Sequence, residues 1–368
     1  MSVITSIATA VPKHKHKQSD LADFMSDMYA HGEVDRRKLR MMYANSGIAS
    51  RYSVIPDYSS SMDQRNFFPE TTDLEPFPDV AYRMKYFDEN ALELAKKVAL
   101  DCLEGKMLLE AITHLITVSC TGLAAPGLDI EIIQQLKLNK NINRSSVNFM
   151  GCYAMLHALK QADYICKAFP DAKVLVVSVE LCTIHFQKLN IPDNIVSNLL
   201  FGDGAAAALI VSKKHAEKNK LRGFGIQNFY SQVSLDGKGD MAWKLSSTGF
   251  LMTLSSYIPQ LIEKGVRSLF ENALKQLNIQ KGEVTHWAIH PGGRKILENI
   301  QKELQLTEED MESSTTVLKE YGNMSSATFL FVLKELMENK IDLSKKENTF
   351  GVAFGPGLTM ESVIFQNV

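Results

Sequence analysis

The sequence shows no excess of either charge, no apolar run long enough to cross a bilayer and no cysteine pair at metal-binding or redox spacing. Each absence removes a class of function. Lysine and arginine number 40 against 42 acidic residues, a formal net charge of −2, so no global field draws the chain to nucleic acid or an anionic membrane. The densest basic run, Arg36-Arg37-Lys38-Leu39-Arg40, reads by itself as a solvated helix face. No stretch approaches the ~20 apolar residues of a spanning helix, so no membrane anchor is expected, although lipid can still be a substrate. Cys102, Cys120, Cys152, Cys166 and Cys182 form neither a CxxC set nor a zinc pattern with histidine. They read as reduced cysteines of a cytoplasmic protein. There is no GxxxxGK loop, no carboxylate dyad, no low-complexity linker and no tandem repeat.

What remains is a globular composition. The chain has 368 residues, 45 % apolar and 22 % charged, too long for one ordinary core and suited to two packed halves. Met1 to Pro12 lacks a basic leader before its apolar part and reads as a first strand, not a signal peptide. Leu115–Cys120, Val174–Val179 and Thr285–His290 read as buried strands. Between them, Asn90–Leu103, Ala154–Phe169, Ile258–Leu277 and Ile296–Leu304 have helical spacing of apolar positions. Such alternation predicts α/β layers. Phe201-Gly202-Asp203-Gly204 and Phe354-Gly355-Pro356-Gly357 each lead into an apolar strand. This echo fits a duplicated unit with its break between 213 and 221, dividing the chain into 1–215 and 216–368. Ser59 to Pro78 reads as an irregular excursion.

Three places share one local design, an apolar strand, a turn of small residues and a helix. The first holds Met150-Gly151-Cys152. A cysteine at a helix N-terminus feels the positive end of the helix dipole, which favours thiolate, and Gly151 permits a sharp turn before it. A buried helix cysteine is the alternative, preferred for Cys102 and Cys166; for Cys152 both readings stand. The second place is His290-Pro291-Gly292-Gly293, where the strand stops and space opens beside the imidazole. The third is Tyr321-Gly322-Asn323-Met324-Ser325-Ser326, where Asn323 could equally be a helix cap. Together these residues supply a nucleophile, an imidazole partner and N–H donors for an oxyanion.

These motifs occur in order with Phe354-Gly355-Pro356-Gly357-Leu358-Thr359-Met360-Glu361, and Phe201-Gly202-Asp203-Gly204 lies in register. The chain thereby resembles the type III polyketide synthases, the chalcone synthase-like enzymes, over nearly its whole length. The resemblance implies a thiolase-like fold, two similar halves stacked in five layers α-β-α-β-α, assembled as a homodimer. It implies Cys152 as acyl-carrying nucleophile, with His290 and Asn323 as partners. Acyl-coenzyme A (CoA) and malonyl-CoA would be the substrates, with no metal or other cofactor. It implies Phe201 as an aromatic gate and Gly355, Pro356 and Gly357 as cavity wall. Lys38, Gly292, Gly293 and Ser325 are implied at the CoA site. Two family cations there are replaced by Met41 and Asn45, with Arg40 as the available substitute. Cys120, Cys182, His185 and Met252 stand at pocket positions that differ from the plant enzymes, and Ala125 replaces a methionine at the dimer contact. The family register thus suggests a wider or more flexible pocket suited to a fatty acyl starter and a pyrone or alkylresorcinol product. Two rivals remain at this level. One is a ketoacyl synthase using an acyl carrier protein; the other is a cysteine acyl hydrolase.

Overall fold

A computed structural model describes residues 1–255 and 257–368. Nine strands make the main hydrogen-bonded sheet: β1 (Ser2–Ala10), β2 (His114–Ser119), β3 (Asn143–Asn148), β4 (Lys173–Leu181), β5 (Asp203–Ser212), β6 (Phe224–Val233), β7 (Val284–Ile289), β8 (Asn348–Gly355) and β9 (Thr359–Asn367). Their spatial order is β7-β8-β9-β6-β1-β5-β4-β2-β3. The order contains a repeat. β2-β4 is parallel, then β4-β5 and β5-β1 are antiparallel. β7-β8 is parallel, then β8-β9 and β9-β6 are antiparallel. Instead of two separated sheets, the repeats share a ladder through β1 and β6, joined only at Val3↔Gly225 and Ile4↔Phe224. The 215/216 division lies inside the short helix Lys213–Lys218 between β5 and β6.

The central strands β4 and β5 are buried on both faces, so they read as near-continuous apolar runs; Val174-Leu175-Val176-Val177 in β4 is one. Period two assigns them to two cores. Leu175 and Val177 join the core containing α1 (Val80–Leu103), α3 (Ile258–Lys275) and α4 (Arg294–Leu304). Val174 and Val176 join the core containing α2 (Ala154–Ala168) and α5 (Thr328–Asn339). α2 packs on β2, β4 and β5 and also reaches β9; α5 packs on β7 and also reaches β1 and β5. These two helices touch strands of both repeats and form the middle layer of five. Phe329, Leu330, Val332 and Leu333 of α5 are fully buried. At about 1.5–3 kcal/mol per such side chain, this face alone fastens the halves together. No helix among the described residues is long and apolar enough to cross a membrane.

α2 and α3 begin where their apolar pattern suggests, at Ala154 and Ile258, while α1 and α4 begin earlier. α1 starts at Val80 because Asp79 caps it, accepting the Tyr82 N–H at 2.8 Å. The excursion Ser59 to Pro78 holds only short turns, organised by the buried Asp57 carboxylate. It accepts the backbone N–H groups of Asn66, Phe67 and Phe68 at 2.8–2.9 Å. Outside the main sheet lie two ribbons, His14–Lys17 with Ser50–Ser53 and Met241–Ser246 with Gly249–Leu254.

Candidate active site

Cys152 stands on an elbow between β3 and α2. Phe149 (φ 61°) and Gly151 (φ 92°) are both left-handed, which turns the chain sharply into the helix. A side chain at Gly151 would also collide with Pro356, whose Cδ lies 2.3 Å from the ideal Cβ position. The elbow is held from behind, where the Gly151 N–H meets Cys120 Sγ at 3.0 Å. Gly355 backs the same turn; a Cβ there would sit 2.6 Å from the Tyr153 ring. Cys152 therefore projects into a cavity two residues before α2 begins.

His290 ends β7, its backbone N–H held by Val352 O at 2.9 Å. Its ring is 1 % exposed, and neither ring nitrogen has a hydrogen-bond partner among the described residues. Burial pulls the imidazole down to about 3. Burial also pushes the Cys152 thiol up to about 12; a hydrogen bond from Ser325 opposes this, the Glu180 charge adds to it, and Asn323 opposes it again. The sequence pattern led to a thiolate–imidazolium pair. The unliganded site instead favours thiol and neutral imidazole, because separated charges in a dry cavity are costly unless they touch. Burial is the largest influence on the Cys152 thiol.

Asn323 is fixed by its own turn. Its Oδ1 accepts the Ser325 N–H at 2.9 Å, which orients Nδ2 towards Gly292 O at 3.4 Å and Cys152 Sγ at 4.0 Å. It does not cap a helix; a 3-10 turn, Ser325–Ala327, intervenes before α5. Ser325 adopts φ 49°, unusual for serine. Expected at the CoA site, it faces the nucleophile instead.

One cavity gathers most of the expected residues: Cys152, His290 and Asn323, with Ser325, Gly292 and Pro356 beside them. Cys120, Cys182, His185, Phe201 and Met252 line its remainder. The cavity volume is about 80 Å³. Gly293, Gly355, Gly357 and Lys38 lie outside the lining. Gly293 starts α4 with φ 158°, and Lys38 sits on the exposed helix Glu33–Ala44, 3.9 Å from Asp35. Arg40 is engaged by Asp23 at 2.9 Å.

Sequence reading missed three participants. Trp243 pairs directly across the ribbon from Met252, and its indole N–H donates to Cys120 O at 2.7 Å. His185 donates from Nε2 to Thr121 O at 2.8 Å and accepts the Phe250 N–H at Nδ1, 3.1 Å, which sets its tautomer. It stacks on Phe250, with centroids 4.3 Å apart, and meets Trp243 edge-on. Met241, Met252 and Leu254 share one face of that ribbon with Trp243 and Phe250, so the adaptable side chains and the pinned aromatic ones form a single wall. Glu180 is the second omission. Its buried carboxyl accepts Cys120 N–H and Thr121 Oγ1–H at 2.9 Å and the Ser326 hydroxyl, tying the Cys120 segment to the Asn323 loop. Arg51, the third, bonds to the carbonyl of Phe201. A tryptophan between an alanine and a lysine and a glutamate inside a strand carry no local signal of their destination.

With this geometry in hand, comparison with known proteins places the chain. The descriptions "Chalcone and stilbene synthases, N-terminal domain" and "C-terminal domain" match residues 1–214 and 226–368. The chain belongs to the chalcone and stilbene synthase family, and it is a type III polyketide synthase, an enzyme of the acyltransferase class. It is 31 % identical over 366 residues to the alpha-pyrone synthesis polyketide synthase-like Pks18 of Mycobacterium tuberculosis, covering 99 % of this chain and 91 % of the relative. It is 30 % identical over 381 residues to a putative chalcone synthase of Bacillus subtilis, covering 99 % and 98 %. The crystal structure of PKS-I from the brown alga Ectocarpus siliculosus superposes with a TM-score of 0.92 at 28 % identity, covering 100 % and 98 % of the two chains.

Proposed function

We propose that Cys152 carries the growing acyl chain while malonyl-CoA extends it, and that His290 and Asn323 serve both half-reactions. The observation that carries this reading is the convergence of one thiol, one unpartnered buried imidazole and one oriented amide in a single cavity. As Sγ attacks the starter thioester, a ring nitrogen of His290 takes its proton, and CoA leaves as the thiol on receiving that proton. Malonyl-CoA then loses carbon dioxide. The electron pair passes to the thioester oxygen, where the Asn323 Nδ2–H and an imidazole N–H meet the developing charge. The resulting carbanion attacks the acyl carbonyl and expels Cys152 thiolate, leaving a chain two carbons longer on CoA. Repetition and ring closure give a pyrone or resorcinol. Decarboxylation makes the carbanion, so the step calls for no metal or redox cofactor.

The pinned aromatic wall and narrow free space favour a short or flat acyl starter over the fatty acyl group suggested by the family register. For CoA itself, Lys38 is joined by Arg294, which follows the His-Pro-Gly-Gly turn and reaches Asn45 O at 3.4 Å. Gly292 and Gly293 keep the passage between them narrow-walled. The halves 1–215 and 216–368 act as the two repeats. A second copy is expected along β3, whose outer edge is unpaired and whose residues 143–146 are exposed. Five free cysteines fit a reducing cytoplasm. The test is mass spectrometry of products formed from malonyl-CoA with short, aromatic and long acyl-CoA starters. Wild type should give extended products with the small starters, and Cys152→Ala should give none.

A further inference from the structure

Arg51 is a buried cation that the proposed chemistry does not use. It is 4 % exposed and lines the catalytic cavity. Burial lowers its affinity for the proton, yet guanidinium remains charged in proteins. The nearby Asp203 carboxylate is occupied by Val54 N–H, Thr183 N–H and Thr183 Oγ1–H at 2.6–2.9 Å. Arg51 finds its counter-charge in backbone. Its Nη1 donates to the carbonyl of Phe201, the residue that ends helix Pro192–Leu200. Its Nε donates at 3.0 Å to Gln18 Oε1, and the Gln18 amide donates to Leu199 O at 2.9 Å. The guanidinium and its glutamine thus satisfy the orphan carbonyls at a helix C-terminus, where positive charge is favoured.

The same side chain supports a second turn. A Cβ on Gly322 would lie 2.8 Å from Arg51 Cδ and Cγ, and one on Gly202 3.4 Å from Arg51 Cβ. Gly322 has φ 68°, so glycine is required there twice over, by conformation and by contact. The two turns are bonded to each other: Gly202 N–H to Asn323 O and Asn323 N–H to Leu200 O, each 2.9 Å. One arginine therefore underlies both the residue expected to gate the cavity and the residue expected to hold the oxyanion.

We propose that Arg51 is a positioning residue that sets the register of Phe201 and of the Asn323 amide against Cys152. The proposal rests on the assignment of Asn323 given above. It predicts a specific imbalance. Decarboxylation depends on the aim of Nδ2, and small misplacements of such a group cost up to about 10²-fold in rate. Alkylation of Cys152 by iodoacetamide needs only the thiol and its access.

The experiment measures both rates on the full chain: release of carbon dioxide from malonyl-CoA and iodoacetamide labelling of Cys152. Arg51→Met keeps much of the bulk and removes the fork; Arg51→Lys keeps charge and one donor. The expected result is a fall in the decarboxylation kcat of at least about tenfold in Arg51→Met, labelling within about threefold of wild type, and partial rescue in Arg51→Lys. Should Arg51→Met fail to fold, the same imbalance is expected, at smaller size, in Arg51→Lys. Parallel loss of both rates, or unchanged decarboxylation in either folded variant, overturns the proposal. A wild-type chain that labels at Cys152 but releases no carbon dioxide overturns the functional reading itself, and the Arg51 proposal with it.

Discussion

The cavity has two walls built on different principles. The proposed catalytic wall grows from the ends of β3 and β7 and from the turn after the helix Glu308–Tyr321, and its side chains are aimed by backbone: the elbow at Gly151, the stop after His290, the turn at Asn323. The opposite wall is a two-stranded ribbon outside that sheet, and it is aimed by side chains. Five residues on one face of it, Met241, Trp243, Phe250, Met252 and Leu254, turn inward. A two-stranded ribbon is marginal by itself; this one is fastened at Trp243–Cys120 and Phe250–His185. The difference teaches where each property resides. Under the proposed roles, chemistry falls to side chains fixed by backbone turns at the main sheet, and choice of acyl group falls to side chains that can change without disturbing Cys152.

Substitutions can break this division. The largest effect is expected on the catalytic wall. His290→Ala and Asn323→Ala should each slow malonyl-CoA decarboxylation about 10²-fold, the scale for losing one oxyanion donor. Rates within a few-fold of wild type in a folded variant remove that residue from the mechanism. On the ribbon, Trp243→Ala should shift the product profile towards longer starters by several-fold in kcat/KM. Trp243→Phe, which keeps most of the bulk but not the indole N–H, should shift it less. An unchanged profile in Trp243→Ala would show that the ribbon does not select the acyl group.

The smallest effect concerns acid stability, which both walls share. His185 and His290 are held by burial near 3 in the fold, against a usual value of 6.5. The unfolded chain therefore binds more protons between about 3 and 6.5. Stability contributed by these two groups is complete above that window and falls as pH drops through it. Each adds a slope of up to about 1.4 kcal/mol per pH unit. His185→Gln should flatten the decline of melting temperature below pH 6.5; an unaltered slope contradicts the neutral assignment.

Legibility in the sequence follows the same division. The catalytic wall left motifs because its turns demand particular residues: Gly151 under Pro356, Gly322 over Arg51, the proline and glycines after His290. Helices and strands were legible because each presents a periodic apolar face to one of two cores. The shared ladder at Val3–Ile4 was not, since two residue pairs add no pattern. The ribbon was half legible. Met252 could be placed by family register, but Trp243 gains meaning only when pairing sets it opposite Met252 and its indole reaches Cys120, 123 positions away. Charge states were the least legible. A cysteine before a helix suggested thiolate, whereas the depth of burial that pushes the thiol up is visible only in the fold.

The central claim is that Cys152 is the covalent seat of chain growth. The direct measurement is intact-protein mass spectrometry after mixing the enzyme with one short acyl-CoA, followed by peptide mapping, with and without malonyl-CoA. The account predicts an added acyl mass on the peptide containing Cys152, and its disappearance into extended product when malonyl-CoA is supplied. An acyl group found on another cysteine, or extended product formed by Cys152→Ala, would contradict it.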